Sequence, residues 1–448
     1  MKNFILISFV FINFSFSIAQ EIIIKAANSD GKAALFSLSG EKSSLIDSIS
    51  AGNSKTYQFN LSNNYSGFYR LLFNSKKWID FVYDNDNIKI ETDAENTLAE
   101  TKIIQSEENK IYYAFINLNK EYKTKTELLQ LVLARYPNDD DYYQTSKEKL
   151  IQVQEEYLYF VNITSQSEPK SFIARYVKSS KLPILNSETS LDLQLNYLKS
   201  HALDSVNFSD DDLIYSDAFS SKSIEYLSYY RNPQLPMALL EKEFQTAVDT
   251  ILNKAKVNDI VYKHIVEYLL DGFKKFGFDN VINYIIENYV IADDICLDEK
   301  LETALERRIQ QNKLFKPGFI VPDIEIADSS GSMVELRETK AEKTLIIFYA
   351  SWCPHCKEVL PQLYNLYKNQ KEKIIEVLAI SIDTSKTDWL NFISSNKLDW
   401  LNVSDLKGWE GKAALDYNIY ATPTMFLIDR EKKLIKIITE IEELKNFL

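Results

Sequence analysis

Apolar residues change their spacing twice along the chain, and the two changes divide it into three regions. From residue 21 to about 95 they form short or alternating runs, Ile22-Ile23-Ile24, Ala33–Leu38, Thr56–Leu61, Tyr69–Phe73 and Trp78–Tyr83, closed by Ile88–Glu91. Ser39-Gly40, Gly52-Asn53, Ser62-Asn63-Asn64 and Asp84–Asn87 separate them with turn chemistry. A period of two predicts strands, and this spacing predicts a small antiparallel sandwich or barrel over residues 20–95.

From 96 to 315 the period lengthens. Glu107–Tyr122, Lys125–Tyr136, Tyr142–Val161, Ser171–Ser179, Ser223–Tyr230, Leu239–Lys256, Ile260–Phe276, Asp279–Asn288 and Leu297–Gln311 carry charged faces at helical spacing. Ile260, Val261, Ile265, Tyr268, Leu269 and Phe273, for example, recur three and four apart. Asp140, Asp141 and Ser171 stand where helices would start. A central α-helical domain is predicted, without a repeat strong enough for a solenoid.

Pro317-Gly318 and Pro322 mark the second change. Phe319–Ile326 and Val334–Leu336 flank the turn residues Asp328–Gly331 as a hairpin. Leu345–Tyr349 and Ile375–Ile382 read as buried strands, Pro354–Gln370 and Thr387–Ser395 as helices. Trp400–Val403 reads as a short strand and Trp409–Leu415 as a short helix. Thr424–Leu427 and Leu434–Ile438 pair around a polar turn, and Glu440–Leu448 closes as a helix. The whole is a multidomain α+β and α/β chain, its last domain spanning 316–448.

Composition narrows the function. At 448 residues the chain is long enough for two or three domains. A net charge of −13 without a basic run argues against nucleic acid, whose phosphates need a basic footprint. Lys2 followed by the apolar Phe4–Phe16 and by Ser17-Ile18-Ala19 predicts a cleaved signal peptide over residues 1–19. The apolar run is short of the roughly 20 residues that span a bilayer. An exported, periplasmic or cell-envelope protein is expected. Three cysteines are too few for a disulfide scaffold, so the close pair at Cys353 and Cys356 is a redox centre or a local bridge.

Trp352-Cys353-Pro354-His355-Cys356 follows directly on a buried strand and opens a helix. Free N–H groups and the helix dipole at that end stabilise a thiolate on Cys353. Pro354 falls at the first helical position, where a missing N–H costs nothing. Protonated His355 adds positive charge, and Cys356, one turn on, is placed to attack a mixed disulfide on Cys353. A zinc site would need two further ligands, and none forms a second pair. No metal and no cofactor is therefore expected. A structural disulfide closing so short a loop gains little entropy. Cys296 reads as apolar filler, and His201 and His264 as structural or surface residues.

About 70 residues downstream, Tyr420-Ala421-Thr422-Pro423-Thr424 precedes a strand. With the Cys-x-x-Cys motif this arrangement resembles the thioredoxin superfamily. It is most similar to the exported TlpA/ResA-like thiol:disulfide oxidoreductases of bacterial, Bacteroidetes-type envelopes. Pro322-Asp323 with Gly331, Phe348–Trp352, Pro361 and Pro423–Asp429 carry the likeness, which covers Lys316 to Leu448. The upstream regions resemble, more weakly, the extensions of such proteins. The resemblance implies a thioredoxin fold, a cis bond before Pro423 and a Thr422 backbone offered to a bound peptide. It also implies Cys353 as nucleophile and Cys356 as resolving thiol. Partners would be protein thiols or disulfides and a membrane or periplasmic electron-exchange protein.

Three positions depart from that pattern. Ile347 stands where many thioredoxins bury an Asp, and Val359 where TlpA-like reductases often carry a Glu. The base for Cys356 is thus unassigned. The Pro-His pair matches DsbA-type oxidants rather than thioredoxin, which leaves the direction of electron flow open. Two rival functions remain. One is a peroxiredoxin-like antioxidant, although peroxidatic sites place the Cys differently and support it with Arg and Thr. The other is an envelope binding protein whose redox module is accessory.

Overall fold

A computed structural model describes residues 21–447 apart from 53–54, 63, 75–76, 187–188, 294–302, 370–374 and 440. The expected signal peptide and Cys296 lie outside the described residues. The chain divides into two compact units, 1–281 and 282–448.

In the first unit, strands β1 (Ile22–Ala27), β2 (Lys32–Ser39), β3 (Lys42–Ser50), β4 (Thr56–Phe59), β5 (Gly67–Asn74), β6 (Lys77–Tyr83), β7 (Ile88–Asp93) and β8 (Lys102–Gln105) form two four-stranded sheets. Their orders are β4-β1-β7-β8 and β3-β2-β5-β6. Ile22, Ile24 and Ile90 of one sheet share a core with Leu35, Leu71 and Phe81 of the other, so the sheets form a sandwich. It is not wholly antiparallel: β1 and β7 run parallel, Ile22 opposite Ile88. Two strands carried no readable pattern. Both β3 and β8 are edge strands and largely exposed on both faces, so nothing imposes apolar alternation on them.

The helices follow. After the single turn α1 (Thr97–Glu100), α2 (Glu107–Arg135) is continuous where the sequence suggested a break near Tyr122. Its N-terminus is capped by Ser106, and α3 (Asp141–Ser167) by Asp140. Ser171 caps α4 (Phe172–Ser179), as expected from its position. Then come α5 (Leu191–His201), α6 (Ala218–Ser228), α7 (Met237–Ala255), α8 (Asp259–Phe276) and α9 (Asp279–Ile285). Helix α8 ends on Gly277 at φ 72°, a left-handed conformation that glycine adopts without steric cost. Among the described residues no helix is long and apolar enough to cross a membrane.

The second unit holds α10 (Thr303–Leu314), then β9 (Glu325–Ala327) paired antiparallel with β10 (Met333–Glu335). Only the end of the Phe319–Ile326 run is strand. Next are β11 (Lys343–Tyr349), α11 (Pro354–Lys368), β12 (Ile375–Ser381), α12 (Lys386–Asn396) and β13 (Leu401–Val403). The unit closes with α13 (Lys412–Asp416), β14 (Thr424–Asp429), β15 (Leu434–Ile438) and α14 (Ile441–Leu444). The five-stranded sheet runs β13-β12-β11-β14-β15; β11 is parallel to β12 and antiparallel to β14. This is a thioredoxin-like domain. Thr344–Tyr349 are all buried, which accounts for an unbroken apolar run rather than an alternating one.

Candidate functional site

The strand β11 delivers the chain to a turn at Ala350–Cys353, and α11 begins at Pro354. Cys353 is the N-cap of α11: its Sγ accepts from the Cys356 N–H at 3.4 Å, doing for the helix what a Ser or Asp cap would. The Cys353 thiol also donates to the carbonyl oxygen of Thr422 at 3.3 Å. Thr422–Pro423 is a cis peptide bond. Cys353 is 5% exposed and Cys356 fully buried; both are free thiols.

The two sulfurs are electrostatically unequal. Burial pushes the Cys353 thiol up, but hydrogen bonds from the Thr422 side chain, from Cys356 and from the His355 backbone outweigh it and hold the thiol below its ordinary value. Burial pushes Cys356 up to about 12, reinforced by the neighbouring Cys353 sulfur. The pair therefore holds one thiol lowered at the start of α11 and one kept protonated at neutral pH.

The other residues of the motif divide by exposure. His355 is on the surface, and Trp352 is 54% exposed, its ring 6.4 Å from that of Trp409. Ile347 is buried in the core and Val359 half-buried, so neither offers a carboxylate to Cys356. The structure brings Trp352, Cys353, Pro354, His355 and Cys356 together with Thr422 and Pro423 from a segment far along the chain.

Three further residues were not legible in the sequence. Asp383, 1% exposed just after β12, accepts from the Ser351 N–H at 3.0 Å and from the Ser351 hydroxyl at 2.7 Å. The oxygen that takes the Ser351 N–H, Oδ2, also accepts from the Ser381 hydroxyl at 2.7 Å. The carboxylate thus pins the turn two residues before Cys353. Arg307 and Gln311 of α10 donate to backbone carbonyls on the segments that carry Trp409 and lead to Thr422. Polar side chains that serve distant backbone leave no spacing signature. His201 is exposed beside Asp204, and His264 is half-buried in the first unit.

A family model described as Redoxin matches residues 316–447. The thiol-disulfide oxidoreductase ResA of Bacillus thuringiensis is 32% identical over 181 residues, covering 40% of this chain and 88% of that protein. The ResA of Bacillus subtilis is 31% identical over 123 residues, 27% of this chain and 66% of the relative's length. Among solved structures, the thioredoxin domain of a thiol-disulfide oxidoreductase from Bacteroides vulgatus is 26% identical. It covers 30% of this chain and 94% of that one, with a TM-score of 0.28. By its 32% identity to the Bacillus thuringiensis ResA over 88% of that protein's length, the chain belongs to the ResA-like family of thiol-disulfide oxidoreductases.

Proposed function

We propose that the chain is an exported thiol-disulfide oxidoreductase in which Cys353 is the nucleophile and Cys356 the resolving thiol of a redox-active disulfide. The observation that carries this reading is the inequality of the two sulfurs: Cys353 is held low by hydrogen bonds, and Cys356 is held high by burial. In reduction, the Cys353 thiolate attacks one sulfur of a substrate disulfide. The substrate S–S bond breaks, a mixed disulfide forms on Cys353, and the departing thiolate takes a proton. Cys356 then loses its proton and attacks the Cys353 sulfur. The second substrate thiol is released, and two electrons have passed from the pair to the substrate. Oxidation of a substrate dithiol is the reverse sequence.

Trp352 and the Thr422-Pro423 backbone frame the approach to Cys353, which suits an extended protein thiol or disulfide. Residues 1–19 would direct export and be removed, placing the mature protein in the periplasm or cell envelope. A membrane or periplasmic electron-exchange protein would then reset the pair. The test is Cys353→Ser in the full mature chain, assayed on insulin or glutathione disulfide. Turnover is expected to vanish; turnover equal to wild type would overturn the reading.

A further inference from the structure

Helix α10 lies upstream of the Redoxin match, yet two of its polar side chains bond the loops that carry Trp409 and lead to Thr422. The Arg307 side chain is only 12% exposed. Its Nη1 donates to the Trp409 carbonyl at 2.9 Å and to the Ile419 carbonyl at 3.4 Å, while Nη2 pairs with Glu410 at 3.0 Å. One turn on, Gln311 is 3% exposed and its Nε2 donates to the carbonyls of Tyr417 and Asn418 at 3.1 and 3.2 Å. Between them the two side chains occupy three consecutive carbonyls, Tyr417 to Ile419, immediately before Tyr420-Ala421-Thr422.

These bonds join two loops that border the Trp352–Cys356 motif. One carries Trp409, whose ring faces Trp352; the other carries Thr422, whose carbonyl accepts from the Cys353 thiol and whose side-chain hydrogen bond holds that thiol low. A guanidinium is a rigid fork of donors that reaches two carbonyls at once, which an ammonium cannot match in the same geometry. We propose that Arg307, seconded by Gln311, is a positioning residue of the redox site. It holds the 417–422 segment against the Trp409 turn and so keeps Thr422 at bonding distance from Cys353. The inference rests on Cys353 being the nucleophile.

The test uses the full mature chain, reduced, with Arg307→Leu. Alkylation of the Cys353 peptide by iodoacetamide is followed by mass spectrometry against pH, and the potential of the pair is measured in glutathione buffers. The Cys353 titration is expected to move upward and its alkylation at pH 7 to slow about three- to tenfold, the worth of one hydrogen bond. The potential is expected to become more negative, because the reduced form loses the thiolate stabilisation that the Thr422 side chain supplies. Arg307→Lys is expected to recover part of both shifts, and Glu410→Gln to keep the wild-type profile because the carbonyl bonds remain. A wild-type titration and potential in Arg307→Leu would overturn the proposal. If that variant does not fold, Arg307→Lys and Gln311→Met decide: shifts of the same sign support it, and unchanged profiles in both overturn it. Failure of the underlying reading would show separately, as wild-type turnover in Cys353→Ser.

Discussion

The Cys353 thiol and the Thr422 carbonyl meet at 3.3 Å, although 69 positions separate them in the chain. The contact joins the start of α11 to the segment entering β14. It gives the almost buried sulfur a backbone acceptor from a segment far along the chain.

If Cys356 resolves a mixed disulfide on Cys353, removing it should halt the cycle after the first attack. Cys356→Ser is expected to accumulate a covalent adduct with a model disulfide peptide, stable on non-reducing gels and released by dithiothreitol. Steady-state turnover should fall at least about 100-fold. Absence of any adduct at Cys353 would contradict the assignment.

The two thiols should titrate on opposite sides of an ordinary thiol near ~8.5. Hydrogen bonds lower Cys353, and burial raises Cys356 to about 12. A folded-state value raised above the unfolded one gives stability that is complete below ~8.5 and lost as pH climbs toward 12. The urea midpoint of the reduced protein should therefore fall faster than that of the disulfide form between pH 8 and 10.5. Parallel curves would show that Cys356 is not held protonated.

Asp383 accepts from two groups of Ser351 and from Ser381 while almost wholly buried. Asp383→Ala leaves those donors without partners and is expected to cost about 2–4 kcal/mol by urea unfolding. Asp383→Asn, which keeps an acceptor for Ser351, should cost less. Equal stability of all three proteins would remove the carboxylate from the account of the turn.

In the first unit Asn109 completes an edge of the sandwich. Its Oδ1 accepts from the Val82 N–H at 2.8 Å, and its Nδ2 donates to the Val82 carbonyl at 2.7 Å. The side chain stands in for a neighbouring strand beside β6 and is fully buried. Asn109→Ala should cost about 2–4 kcal/mol, because both backbone groups of Val82 lose their partner. Circular dichroism melts would show it as a lower transition without loss of Cys353 reactivity.

Much of this was readable because burial writes itself into apolar spacing. Thr344–Tyr349 are covered on both faces and read as one apolar run; Cys353 and Pro354 sit where capping chemistry places them. Failures occurred where nothing forced a pattern. The sequence Leu191-Asp192-Leu193-Gln194-Leu195 has a period of two, yet it is the helix α5, with Leu193 and Leu195 turned to solvent. Strand β3 is held by its hydrogen bonds to β2 rather than by a buried face. Asp383, Arg307 and Gln311 act through backbone groups 32 to 112 positions away, which no local motif encodes.

The start of the portable redox module follows from α10. The Redoxin model matches from residue 316, and a domain graft or shortened version designed on that match would open there. Such a cut leaves behind the side chains that occupy the carbonyls of Tyr417, Asn418 and Ile419. Three acceptors next to the active-site loop would then have to find water instead. Transplants and chimaeras of this domain should be cut ahead of Thr303, so that the helix travels with the site it braces.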